Sequence, residues 1–169
     1  MTKERPSAVD DLVRELEEAR AEFSAALADV DPGLLTAPGL VGEWSAAQVV
    51  AHLGYWAGHA TEALHRAEQG ELDSFGRDEP DVEATNAVVA RVAAETDLRT
   101  ILQREEVAYA ALLARLRVVD AETLDERTGE GDTLEQVLRD DGSDHYREHT
   151  ADLRAWFSGA DDAEADDDD

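Results

Sequence analysis

The stretch Trp44-Ser45-Ala46-Ala47-Gln48-Val49-Val50-Ala51-His52-Leu53 decides the fold. Ser45 and Gln48 have the spacing of a capping box, in which each side chain satisfies the other residue's backbone N–H at a helix start. Trp44 and Val49 take the two positions of a hydrophobic staple around that start. An apolar stripe then runs through Val49, Leu53, Trp56, Ala60, Ala63 and Leu64 at helical spacing, and Gln69-Gly70 supplies a stop. His52 falls in the second turn of this well-capped helix, where the backbone is rigid.

The flanking sequence repeats the helical pattern. Residues 7–30 carry apolar side chains at Val9, Leu12, Val13, Leu16, Ala19, Phe23, Ala26, Leu27 and Val30, with Ser7 as N-cap and Asp31-Pro32-Gly33 as terminator. Residues 70–81 are rich in Gly, Asp, Glu and Pro and read as a loop. A third helical region covers about 82–117, and Thr96-Asp97 is where it breaks or kinks, because both residues favour caps over helix interiors. Residues 118–132 connect, with a short turn near 121–124. The last helix begins at Asp132 or Thr133, where Thr133 and Gln136 give another capping box, and stops around Ser158-Gly159. Gly142 inside it costs about 1 kcal/mol relative to alanine, so a bend or a close backbone approach is expected there. No run alternates β-branched residues, which argues against a sheet. The pattern predicts an all-α four-helix bundle, with the domain over residues 1–158 and an acidic disordered tail at 159–169.

Bulk properties bound the function. At 169 residues and 18.4 kDa, with 43% apolar residues, the chain is one globular domain. No apolar run approaches the ~20 residues of a membrane span. The charged segment Met1–Pro6 has no apolar stretch behind it, so no secretory signal is expected. Cysteine is absent, which excludes disulfides, thiolate ligands and a cysteine nucleophile. A cytoplasmic location is expected. The net charge of -26 opposes binding to nucleic acid phosphates and anionic lipid. Lys3 is the one lysine and lies at the chain end, so a catalytic lysine is not expected.

Three histidines carry the chemistry. His145 and His149 stand four apart on the last helix, on one face and in a stripe otherwise filled by leucines. His52 lies on the inward side of its own helix. A lone histidine at such a position is ordinarily a satisfied core residue. Three together demand several partners, since each unmet buried polar group costs about 1–3 kcal/mol. A divalent metal ion satisfies one nitrogen of each ring and leaves a position for water or substrate. His59, seven residues after His52, is an alternative ligand, a substrate contact or a general base, or else a partly exposed polar residue; His65 is expected at the surface. Asp141, one turn before His145, is the carboxylate placed to support the ligands or become a fourth, whereas Asp144, Glu148 and Asp152 read mainly as solvent-face charges. Tyr55 is a hydrogen-bond donor to a bound water or substrate, or simply packing.

These residues resemble the DinB/YfiT-like superfamily of four-helix bundles. The matching parts are Trp44–Leu53 and Asp144-His145-Tyr146-Arg147-Glu148-His149, in register with that family's two histidine motifs over about residues 7–158. The resemblance implies His52, His145 and His149 as ligands of a divalent metal, commonly nickel or zinc. It implies a metal-dependent enzyme on a small molecule: a thiol-dependent transferase or isomerase using a low-molecular-weight thiol such as mycothiol, or a hydrolase. In such an enzyme His59 or Tyr55 is expected to assist proton transfer. The last helix is also similar to the ClbS/DfsB branch, some of whose members lack the histidine set, and the mycothiol-dependent maleylpyruvate isomerases are a second neighbouring branch. The alternatives are a non-enzymatic binding or sequestration protein and a structural dimer whose histidines fill space. Dimers are common in the family, which implies a homodimer here.

Overall fold

The computed structural model of the chain describes residues 7–165, with side chains as far as Phe157. Helix α1 spans Ala8–Ala28, α2 Ala46–Gln69, α3 Val82–Ala94, α4 Leu98–Leu116, α5 Leu134–Leu138 and α6 Asp144–Ala165. Both expected capping boxes are formed, at Ser45/Gln48 and at Thr133/Gln136, and Ser7 closes another with Asp10. Gly70 ends α2 in the left-handed conformation (φ 72°), which costs glycine nothing. No strand occurs among the described residues; two isolated bridges pin the loops.

Four rods make the bundle: α1, α2, α4, and the run from α5 into α6. α2 packs along α4, and α1 along α6. Leu12, Leu16 and Phe23 of α1 meet Val49, Leu53 and Leu64 of α2, Leu112 of α4, and Tyr146 and Leu153 of α6 in one buried core. Gly54 lets α2 and α4 approach closely, since a Cβ there would stand 3.1 Å from the Glu105 Cα. Next to this contact Arg20 donates to Glu105 through Nε and Nη2 (3.3 and 2.9 Å), and the Tyr146 hydroxyl donates to the same carboxylate at 2.5 Å. Burial, followed by the Glu105 charge, pushes the Tyr146 phenol well above its ordinary range, so it stays a donor. This network ties α1, α4 and α6 together one residue from His145.

The structure settles two expectations and departs from a third. The region 82–117 is two helices, because Asp97 caps α4 by accepting from the Thr100 N–H. Only α4 belongs to the bundle proper; α3 lies on the outside of α2. The last helix is interrupted by a π turn at Arg139–Ser143, where Gly142 leaves helical dihedrals (φ -110°, ψ -105°), realising the expected bend. α6 continues through Ser158-Gly159 to Ala165, since a single glycine without a following proline weakens a helix but does not end it. Residues 166–169 of the acidic tail lie outside the described residues. Among the described residues no helix is long and apolar enough to cross a membrane.

Candidate metal centre

α2 and α6 bring His52, His145 and His149 together. One ring nitrogen from each lies within 4.8 Å of the other two, and this is the one such group among the described residues. The Nε2 atoms of His52 and His145 face each other at 2.7 Å, and the ring centroids of the three pairs stand 4.6, 5.2 and 5.0 Å apart. His52 and His149 are buried, and His145 is half-buried. The Trp44 and Trp56 rings pack edgewise on His52. A cavity of about 460 Å³ lies over the three rings, lined also by Trp44, Trp56, Asn86 and Asp141.

Burial disfavours the charged form of two of these rings. Burial first, then the charge of His149, lowers His52 to about 4. Burial first, then His52 and His149, lowers His145 to about 3. Neutral imidazoles with free lone pairs are the state a metal requires. His149 donates from Nδ1 to Asp152 Oδ2 at 2.9 Å, which orients its ring. The Nδ1 atoms of His52 and His145 are buried without a protein partner. Three imidazole nitrogen donors, one ring already oriented by a carboxylate, fit a divalent transition-metal ion.

A second cluster adjoins the first. His59 donates from Nδ1 to Asp141 Oδ2 (2.6 Å) and from Nε2 to Glu79 Oε2 (2.7 Å). Both nitrogens face carboxylates, so this ring is held as the imidazolium. Burial pulls its pKa down, but Asp141 and then Glu79 outweigh that, and the net shift is upward. Burial pushes Asp141 up, partly offset by His59. Asp141 therefore bonds to His59 rather than to the histidine pair on its own rod, although it lines the cavity over all three rings. Of the acids flanking the pair, Asp152 is the one bonded to a ring. Tyr55 is exposed, lines the neighbouring His59 cavity and is not among the residues lining the cavity over the three histidines. His65 is half-buried rather than at the surface, with Nδ1 enclosed and outside the three-histidine group.

Sequence reasoning missed Glu79, which reaches His59 from the loop before α3 and carries no local signal. It also missed Glu105, whose signal was available: Glu105 follows Ile101 by four on the inward stripe of α4.

The sequence signature of the DinB superfamily matches residues 15–140. This chain belongs to the DinB superfamily. His145 and His149 lie beyond the matched segment, so their grouping with His52 is a result of the structure. No curated protein matches the chain in sequence. The fold is similar to that of an uncharacterised protein from Escherichia coli UTI89 (13% identity, TM-score 0.76, 92% of this chain and 96% of that one). It is similar to the colibactin self-resistance protein ClbS in complex with a dsDNA (15% identity, TM-score 0.74, 90% and 97%). It is also similar to the mycothiol-dependent maleylpyruvate isomerase (19% identity, TM-score 0.69), with 86% of this chain covering 60% of that one. At these identities the likeness is one of fold.

Proposed function

We propose that this DinB-superfamily chain is a metal-dependent enzyme acting on a small molecule, a thiol-dependent transferase or a hydrolase, with His52, His145 and His149 holding zinc or nickel. The observation that carries this reading is the convergence of three rings, at least two held neutral, on the wall of a cavity of about 460 Å³. A divalent ion held there supplies Lewis acidity and lowers the pKa of a bound water or thiol. The chain has no cysteine, so a sulfur nucleophile comes from a low-molecular-weight thiol, and the fold shared with a mycothiol-dependent isomerase supports that choice.

The chain's own residues divide the remaining work. Asp152 orients His149. Trp44 and Trp56 flank His52 and limit water at the rings. His59 holds a proton against Asp141 and Glu79, and releases it toward a substrate atom when that pair of bonds is disturbed. Asp141 borders both cavities and couples the proton store to the three histidines. Tyr55 offers its hydroxyl at the rim of the His59 cavity.

Elemental analysis of protein purified without chelator, followed by titration with a low-molecular-weight thiol, tests the reading. About one zinc or nickel per chain and thiol binding that vanishes in His145→Ala are expected. Protein that carries no metal and takes none up sinks it. A second reading is sequestration of a small molecule in the same cavity of about 460 Å³ without turnover. Stoichiometric ligand binding with no thiol transfer to any electrophile would select it. ClbS was solved with DNA, but a net charge of -26 here opposes phosphate backbones, so the proposed partner is a small molecule. A homodimer is also proposed, with exposed Val82, Val88 and Val92 of α3 as apolar surface; sedimentation velocity tests it.

A further inference from the structure

Beside the three-histidine cavity lies a cleft of about 470 Å³ with His59 in its wall. The two share Trp56, Val82, Asp140 and Asp141, so the cavities adjoin along one wall. Tyr55, Trp56 and Phe75 make the aromatic wall of the cleft, beside Pro80, Val82 and Val137. Its polar lining is His59, two threonines and six carboxylates, of which Asp81 caps α3. Glu79 and Asp141 are matched by His59, whereas Glu130, Asp132 and Asp140 have no ion pair among the described residues. No lysine or arginine lines the cleft. Burial first, and then the charges of Asp144 and Asp132, push the Asp140 carboxyl upward, as expected of like charges crowded together.

We propose that the substrate of this chain carries an organic ammonium group, seated between these unmatched carboxylates and the aromatic wall of the His59 cleft. Two arguments select an organic cation. Aromatic faces attract a cation that brings apolar surface with it. An inorganic ion instead needs carboxylate oxygens converging on one point, and among the described residues only the three histidines converge in that way. An anionic substrate would meet three unmatched acids along the wall of the cleft. The inference rests on the reading of the adjoining cavity as the reacting site, and it adds the charge class of what enters.

Three probes of one shape and different charge test it: benzylamine, benzyl alcohol and benzoate, titrated calorimetrically into the full chain as purified, at physiological salt. Benzylamine is expected to bind at least about tenfold more tightly than benzyl alcohol, the scale of one ion pair or cation–π contact in a partly buried site. Benzoate is expected to show no binding. The triple variant Glu130→Gln/Asp132→Asn/Asp140→Asn, at three exposed positions, should lose the preference and keep its metal content. Four results overturn the proposal: benzylamine does not bind; benzoate binds as well as benzylamine; the preference survives in the triple variant, which assigns it to the diffuse charge of the whole chain; or calcium displaces benzylamine at equal concentration, which assigns the cleft to inorganic cations. Metal analysis of the same samples separates this inference from the reading it rests on. Amine preference without metal removes the metal site alone, and metal without amine preference removes the substrate class alone.

Discussion

Acidification tests the three-histidine cluster without any substrate. His52 and His145 sit at about 4 and about 3, against an ordinary 6.5, because burial and then neighbouring rings disfavour the imidazolium. Such a ring binds fewer protons in the folded chain than in the unfolded one. Its stabilising effect is therefore complete above the unfolded value and is lost as pH falls toward the folded value. At ~1.4 kcal/mol per pH unit, each ring costs about 2 kcal/mol between pH 6.5 and about 5, and the pair about 4 kcal/mol. That sum is an upper bound, because local opening lets a ring protonate without global unfolding. For a chain of this length it corresponds to a fall in Tm of up to about 8–16 °C. Other groups act in the same interval. Asp140 and Asp141, raised in the fold, gain stability as pH falls. His59, also raised, contributes fully below 6.5 and loses its effect only above it, so it is constant across this window. The decisive quantity is thus a difference of slopes. Chelator-treated wild type and His52→Gln/His145→Gln are melted at several pH values between 6.5 and about 5, and the wild type should lose Tm more steeply. Parallel curves would refute the account of buried neutral rings.

Three further outcomes follow from the same geometry. Asp152→Asn should weaken zinc or nickel binding by about 10- to 100-fold, read by competition with a chelating dye, with helical circular dichroism unchanged, because the carboxylate orients His149 without filling the core. Tyr146→Phe should cost about 1.5–3 kcal/mol in urea unfolding, the worth of a buried hydrogen bond to a charged acceptor; a neutral result would show that Arg20 alone satisfies Glu105. Ser45→Ala should cost about 0.5–2 kcal/mol in the same assay by opening the α2 cap.

What could be read from sequence was what is local. Ser45/Gln48, Thr133/Gln136 and Gly70 fix helix ends within four residues of themselves, and the structure forms each as expected. The inward stripe placed His52, His145 and His149 because periodicity reports the face of a helix directly. The split at Asp97 was ambiguous, since a cap residue within an apolar pattern signals either a kink or a new helix, and tertiary packing decides. Asp141 and Glu79 were illegible for different reasons. Glu79 belongs to a loop whose path no periodicity records. Asp141 has the phase of His145 in a regular α-helix, and that phase is lost at the π turn.

That turn explains how one rod serves two clusters. His52 and His59 lie seven residues apart on nearly one face of α2, about 10 Å along its axis. The opposing rod presents His145 to the first and Asp141 to the second, so sequence order runs oppositely on the two sides of the contact. Four residues of regular helix advance only about 6 Å. The opposite order is that of an antiparallel contact; the π turn at Arg139–Ser143, with its kink at Gly142, breaks the regular helical spacing between Asp141 and His145. Gly142 is buried, and a Cβ there would meet Leu16 at 3.5 Å, an ordinary contact, so space alone does not demand glycine. Its use is conformational: glycine reaches those dihedrals at little cost. Gly142→Ala should therefore leave the core intact, favour a regular helix through the turn, and rotate Asp141 away from His59. The His59 pKa would then fall, because burial would remain while its strongest opposing partner was gone. Histidine-selective NMR titration reads that value directly, and an unchanged His59 in a folded Gly142→Ala chain would separate the turn from the proton store.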